Sequence, residues 1–330
     1  MTSELEKTNY GTAIRLGFEF LLENFPECFV IGQGLWSPWY VGNSMTDLDK
    51  KFGTSRVIDT PVSESACTGA AVGASLCGMK PIVVHPRMDF MLYAIDPIVN
   101  QAAKWSHMFG GQAGAGVTIR AIINRGGEQG AQHSQALHSW FAHIPGLRVV
   151  MPATVSDARD LLISSVLSED PVLFIDDRWL YEQTDYLSEV QLSKLELVKP
   201  RILHEGSDVT LVGIGYGTRC CLEAVSEIAD YKIAPEIIDL RVLNPLDVSS
   251  IVSSVSKTGR LVVVDPGWSS CSISSEIISA VLEEIELSAL KANPVRINLP
   301  NAPAPTSRLL ENDYYFGPAD VAKAVVNLFD

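Results

Sequence analysis

Strand-like and helix-like runs alternate along the whole chain, which is the pattern of parallel α/β sheets. Apolar positions at Ile14, Leu16, Phe18, Leu21 and Leu22 predict a helix over 11–24. Short apolar, β-branched runs predict strands at 28–31, 56–59, 80–85, 117–124, 149–151 and 172–175. Helices are predicted among them at 65–78, 96–108 and 157–167. After Tyr181 the pattern breaks: EQTDYLSEVQLSKLELVKPRILHEGSD is polar and poorly periodic, and reads as a linker with edge strands. A second α/β pattern follows, with strands at 209–214, 234–239, 260–264 and 294–299 and a proline-rich loop over 300–305. The expectation is two doubly wound α/β domains, 1–190 and 191–330.

One stretch combines unusual features. Residues 56–81, RVIDTPVSESACTGAAVGASLCGMKP, read as a β-branched strand, a carboxylate, then a helix of small residues. Glu64 is the only charged side chain between Asp59 and Lys80. A carboxylate alone at a strand-to-helix turn, against an apolar helix, is expected to be poorly solvated, and its pKa to rise. In α/β sheets ligands bind at the carboxyl ends of strands, so Glu64 is a candidate acid–base group. The helix carries Ala66, Gly69, Ala70, Gly73, Ala74 and Gly78. Glycine costs a helix about 1 kcal/mol against alanine. The expected compensation is close approach of another helix, either inside the subunit or across a subunit interface.

Charge and composition remove whole classes of function. The net charge is −14 and no Lys/Arg cluster appears, which argues against nucleic acid. No apolar run approaches the roughly 20 residues of a membrane span. The start MTSELEKTNY lacks an apolar signal core, so a cytoplasmic protein is expected. The 6 cysteines form no Cys-x-x-Cys pair and read as reduced, mostly buried thiols. His133, His138 and His143 are spaced at a step that does not share one helix face, which argues against a zinc site, and His143 reads as a turn cap.

Six segments then carry a resemblance: RVIDTPVSE with its small-residue helix, DFMLYAIDPIVNQAAKW, GAQHSQALHSWFAHIPGLRVVMPAT, DPVLFIDDRWLY, EIIDLRVLNPLD and LVVVDPGW. They keep their order and span nearly the whole chain. With them the chain resembles the β subunit of the thiamine-diphosphate-dependent component of 2-oxoacid dehydrogenase complexes, a group that includes the pyruvate, branched-chain and acetoin enzymes. The resemblance implies a transketolase-like first domain that binds the aminopyrimidine of the cofactor. It implies a transketolase C-terminal domain that shapes the assembly.

The resemblance assigns roles to particular residues. Glu64 is implied to hydrogen-bond the aminopyrimidine ring nitrogen, which suits a carboxyl able to share a proton at neutral pH. Its alternative, an acidic helix N-terminus, explains an acid here but not the surrounding motif. Phe90 resembles the aromatic that lies against the aminopyrimidine, with Met88 and Tyr93 expected on the same wall; the alternative is an ordinary core phenylalanine. His133 matches a histidine on the substrate side of the cofactor, implicated in proton transfer and in passing the acyl group onward. Its alternative is a buried histidine bonded to a loop carbonyl. Gln132 and Gln135 would orient its ring, and Trp36 would reshape the substrate pocket.

Departures from the family cluster in the first domain. Gly32-Gln33-Gly34-Leu35-Trp36 replaces an acidic Gly-Glu-Asp or Gly-Glu-Glu segment, and Trp36-Ser37-Pro38-Trp39-Tyr40 is unusually aromatic. The loop after Arg125 is shorter than usual, so the potassium site of several relatives is not carried over. Asp176-Asp177 stands where Glu-His or Phe-Glu is more common. These changes predict retained chemistry on an uncommon substrate. No Gly-Asp-Gly motif with a downstream Asn is present, and Gly213-Ile214-Gly215-Tyr216-Gly217 lacks the oxygens magnesium prefers. The resemblance therefore implies an α subunit that holds the diphosphate and its magnesium, in an α2β2 heterotetramer, and leaves room for a lipoyl acyltransferase as a further partner. Two alternatives remain at this stage: the C-terminal half of a split transketolase-like carbon–carbon ligase or lyase, and a non-catalytic scaffold subunit.

Overall fold

Parallel sheets flanked by helices form where the apolar runs place them. The computed structural model describes residues 6–329. These form two bodies, one of residues 6–124 and 140–198 and the other of 125–139 and 199–329.

In the first body the strands Arg148–Val150, Val172–Asp177, Thr118–Ile123, Lys80–His85, Cys28–Gln33 and Val57–Thr60 lie side by side in that order, all parallel. Thr118–Ile123 and Val172–Asp177 are buried along their whole length, as a parallel sheet covered on both faces requires. The helix Tyr10–Asn24 buries Ile14, Phe18, Leu21 and Leu22 and packs on the helix Val155–Leu167. The Asn9 side chain caps the first helix by accepting the Thr12 N–H at 2.8 Å. Glu6–Asn9 and Thr184–Leu187 pair as a small antiparallel ladder. The first of these strands has no sequence signal, because EKTN is polar and only pairing makes it extended.

The connections out of this sheet diverge. From Cys28–Gln33 the chain moves outward to Val57–Thr60, whereas from Lys80–His85 it moves to Thr118–Ile123 on the other side. In α/β sheets such a switch point, at the carboxyl ends of these two strands, is where ligands bind. Gly32 lies in that position: a Cβ there would fall 2.4 Å from the Val84 carbonyl oxygen.

Two predicted helices differ from expectation. In place of one helix over 96–108, a 3-10 turn Met88–Ala94 leads into a π-helix Asp96–Ala102 and an α-helix Ala103–Met108. The buried positions Ile98, Ala102 and Ala103 suit a helical face whatever the hydrogen-bond step, so spacing does not reveal it. The small-residue helix, Glu64–Ser75, buries Thr68, Ala71, Val72 and Ser75. Its glycine face points away: no described atom lies within 4 Å of a Cβ built on Gly69 or Gly73. Packing inside the subunit therefore does not explain these glycines.

Two polar contacts hold the interior of this body. Arg120, fully buried, donates from Nε to Asp176 Oδ1 at 2.9 Å and from Nη2 to Asp176 Oδ2 at 2.8 Å. Its Nη2 also reaches Ser44 Oγ at 2.9 Å and the Tyr181 hydroxyl at 2.7 Å. Burial works against the guanidinium charge, but Asp176 and its neighbours outweigh it and push the Arg120 pKa above its ordinary value. The second contact joins Thr68 Oγ1 to His85 Nε2 at 3.2 Å, fastening the small-residue helix to the strand that follows it. Burial lowers the His85 pKa from 6.5 to about 4.

The second body holds the strands Val295–Leu299, Leu261–Trp268, Val209–Gly213, Pro235–Asp239 and Arg201–His204 in that order, the last antiparallel and the others parallel. The helices Tyr216–Ala229 and Pro318–Val326 pack together over a core that includes Val209, Leu211, Ile237, Val262 and Val325. The cysteines are all free; Cys28, Cys220 and Cys221 are buried, Cys67 is half-buried, and Cys77 and Cys271 are exposed. The expectation of mostly buried thiols thus holds for only half of them.

The Asp176→Asn variant leaves the Arg120 charge buried without its anion, and urea unfolding is expected to show a loss of about 3–5 kcal/mol. A loss below about 1 kcal/mol would mean that this pair does not hold the sheet. His85 supplies a pH signature. Its folded pKa lies below its unfolded value, so protonation favours the unfolded chain. Stability is intact above about pH 6.5 and falls toward pH 4. The loss amounts to about 3 kcal/mol at most. In His85→Gln that part of the acid sensitivity should disappear from unfolding curves taken across the window.

Candidate active site

The carboxyl ends of the three strands around the switch point carry most of the residues singled out in the first body. Val57–Thr60 ends, Pro61 to Ser63 form an exposed turn, and Glu64 opens the following helix. Ser63 precedes the helix without a side-chain capping bond. Glu64 is half-buried in this chain. Full burial, as expected for it, is therefore not reached in this chain.

In the turn after the neighbouring strand Cys28–Gln33, Leu35 N–H donates to Asp59 Oδ1 at 3.1 Å and Trp36 Nε1–H donates to the Val57 carbonyl at 3.1 Å. Trp36 is thus pinned along the edge strand with 47% of its surface exposed. Trp39 and Tyr40 are exposed as well. Trp36 also lines a cavity of about 260 Å³ with Leu35, Val41 and Met45.

Beyond Lys80–His85, the 3-10 turn sorts Met88, Phe90 and Tyr93 by its period of about three residues. Met88, Met91 and Ala94 share the buried face. Phe90 is half-buried and Tyr93 is 74% exposed, on the outward side. Met88 is fully buried while Tyr93 faces outward, so the turn places the two on different faces. Phe90 is not an ordinary core phenylalanine, since part of its ring remains open.

His133 lies in the second body, in a loop with a strongly turned backbone. Gly126, Gly127 and Gly130 have φ of 67°, 63° and 74°, and Glu128, not a glycine, has φ 63°. His133 N–H donates to the Gly130 carbonyl at 3.3 Å. His133 and Gln135 are half-buried, and Gln132 is exposed. Half-burial does not match a histidine sealed into the core.

His138 is the buried histidine of this segment. Its Nε2 is 2.8 Å from Asp265 Oδ1, and both side chains are fully buried. Asp265 also accepts the Gly267 N–H at 2.8 Å and the Ser274 N–H at 3.3 Å. Burial alone would raise the Asp265 pKa, but His138 and these donors outweigh it and hold it below the usual carboxylate range. Nothing in the residues around His138 marks this pair; Asp265, the one acid inside LVVVDPGW, is the only sequence hint. His143 sits exposed in the turn after the helix His138–Ala142.

The structure thus gathers Glu64, Trp36 and Phe90 at the carboxyl end of one sheet, and Gln132, His133 and Gln135 in one loop of the other body. A half-open carboxyl and a half-open aromatic face at the switch-point end of the sheet fit the needs of an aminopyrimidine ring, which are a proton-sharing partner and a flat apolar surface. Among the described residues no three His, Cys, Asp or Glu side chains stand together to hold a metal ion. No helix of the described residues is long and apolar enough to cross a membrane.

Residues 6–183 match the family described as "Transketolase, pyrimidine binding domain", and residues 199–321 match "Transketolase, C-terminal domain". The chain is 42% identical over 269 residues to the acetoin:2,6-dichlorophenolindophenol oxidoreductase subunit beta of Cupriavidus necator, covering 82% of this chain and 79% of that one. It is 38% identical to the pyruvate dehydrogenase E1 component subunit beta of Rhizobium meliloti, covering 84% of this chain and 60% of that one. The Bacillus subtilis acetoin:2,6-dichlorophenolindophenol oxidoreductase subunit beta is 36% identical, covering 85% of this chain and 82% of that one. A solved split-gene transketolase, described as an inactive beta4 tetramer, superposes with a TM-score of 0.77 over 97% of this chain and 96% of that one; at 22% identity it bears on the fold alone. The chain belongs to the transketolase-like family of thiamine-diphosphate-dependent enzymes, among the β subunits of the pyruvate and acetoin dehydrogenase E1 components.

Proposed function

We propose that this chain is the β subunit of a heteromeric, cytoplasmic enzyme that decarboxylates a 2-oxoacid and hands the acyl or aldehyde unit to a lipoyl carrier or another acceptor. The observation that carries this is Glu64, half-buried at the first turn of a helix at the switch-point end of the sheet. When bound, thiamine diphosphate supplies the nucleophilic carbon and the electron sink that such a decarboxylation requires. Glu64 shares a proton with the ring nitrogen of the aminopyrimidine. Phe90 offers the ring a flat apolar face, with Tyr93 further out. His133 holds or moves a proton on the substrate side, oriented by Gln132 and Gln135, and Trp36 narrows the substrate pocket. Residues 1–190 serve the aminopyrimidine and 191–330 the assembly.

The diphosphate and its magnesium fall to an α subunit, in an α2β2 heterotetramer. This rests on the missing Gly-Asp-Gly motif and on the family of β subunits to which the chain belongs. The open glycine face of the helix Glu64–Ser75 suits close approach of a helix from another chain.

The test is Glu64→Gln in the complex reconstituted with its α partner, assayed with pyruvate and with acetoin and with 2,6-dichlorophenolindophenol as electron acceptor. Turnover is expected to fall roughly 100-fold, with the melting temperature unchanged, because the carboxyl is asked for general acid–base work. Full activity in the variant would remove Glu64 from the chemistry. Purification from the native lysate should bring down a partner that carries the magnesium motif. Recovery of the chain only with itself would favour the scaffold alternative.

A further inference from the structure

The His133 loop is held at both ends, and both holds trace to one strand. At its near end, Glu128 adopts φ 63°, a left-handed conformation that a residue with a side chain keeps only where its surroundings impose it. Its N–H is the imposing contact: it donates to both carboxylate oxygens of Glu311, at 3.0 and 3.1 Å. Glu311 is itself buried, on the helix Arg308–Tyr314. Next to it, Gly130 lies so close to Thr306 that a Cβ would fall 2.8 Å from Thr306 Oγ1.

That helix and the proline-rich loop before it are braced from Trp268. Trp268 Nε1–H donates to the Tyr314 hydroxyl at 2.8 Å and to the Ala302 carbonyl at 3.0 Å, and the Tyr314 hydroxyl donates to Ala302 at 2.7 Å. At the far end of the loop, His138 is locked to Asp265, with Gly267 leaving room for the ring: a Cβ there would lie 3.0 Å from His138 Cε1. The neighbouring Ser139 Oγ accepts the Ile273 N–H at 3.0 Å. Asp265 and Trp268 both belong to the strand Leu261–Trp268.

We propose that Glu311 and Asp265 are positioning residues for His133, holding the two ends of its loop through Glu128 and His138. This rests on the reading that gives His133 a part in the chemistry. The second body then does more than build an assembly surface: it sets the shape of the loop that presents a reacting group. Glu311 acts by accepting a backbone N–H, so the glutamine variant, which keeps an acceptor oxygen, should preserve much of the effect that alanine removes.

The experiment uses the reconstituted complex with pyruvate, acetoin and 2,6-dichlorophenolindophenol. Hydrogen exchange of peptides covering 126–137 is read beside kcat and KM for Glu311→Ala, Glu311→Gln, Asp265→Asn and His133→Ala, and for the double variant Glu311→Ala with His133→Ala. In Glu311→Ala and in Asp265→Asn, loop exchange is expected to accelerate roughly tenfold or more. A fall in kcat of roughly tenfold with little change in KM should accompany it. Glu311→Gln should stay near the parent. In the His133→Ala background the Glu311→Ala change should lower kcat no further.

Unchanged loop exchange in both Glu311→Ala and Asp265→Asn overturns the proposal. So does a Glu311→Ala loss that persists in full without His133. A loosened loop with full kcat, or a fully active His133→Ala, instead removes the reading of His133 on which the proposal stands. If Glu311→Ala does not assemble, Gly130→Ala displaces the loop from Thr306 and is judged by the same measurements.

Discussion

A guanidinium with no access to water must be met by an anion and by hydrogen-bond acceptors, or the fold that buries it does not persist. Arg120 imposes that condition on the first body. It draws Asp176 from the adjoining strand and brings in Tyr181 and Ser44 from segments far apart in sequence. Ser44 belongs to the short turn that follows Pro38–Val41, so the aromatic stretch around Trp36 to Tyr40 is tied at its far end to the middle of the sheet. At its near end Trp36 is tied to the edge strand through Val57. The unusual aromatic segment is thereby a built wall rather than a loose loop. Asp176, on the adjoining strand, is the anion on which this arrangement depends.

The two bodies use buried charge in the same manner for different ends. In the first, Arg120 and Asp176 secure the sheet behind the switch point. In the second, His138 and Asp265 and the Glu311 carboxylate secure a loop whose backbone is otherwise strained at Glu128. In both, a side chain deep in the structure spends its hydrogen bonds on elements distant in sequence. The residues assigned to chemistry, Glu64, Phe90 and His133, are by contrast half-buried. That division suits an enzyme: rigid polar contacts sit behind, and partly open groups face a ligand.

The open face of the helix Glu64–Ser75 belongs with the same logic. Four of its side chains anchor it inward, and Thr68 fastens it to His85. Its glycines, which weaken an isolated helix, face away from this chain. Glu64 opens that helix at the carboxyl end of the sheet, one turn before Thr68 on the inward face, while the glycines look outward.

The sequence by itself determined the α/β class, nearly every sheet strand, the small-residue helix with its single acid, and the family. Each of these is written in local pattern: β-branched runs, turn residues and motifs in a fixed order. Only the tertiary structure decided the rest. EKTN becomes a strand because Thr184–Leu187 pairs with it. The 3-10 period turns Met88 inward and leaves Phe90 and Tyr93 outward, a distinction that three residues of apolar sequence do not carry. Glu64 is half-buried, which its place beside an apolar helix did not convey. His138 meets Asp265, Glu128 meets Glu311 and Arg120 meets Tyr181 across long stretches of chain. Such contacts depend on burial and on which segments the sheet order brings together, and no local pattern encodes either.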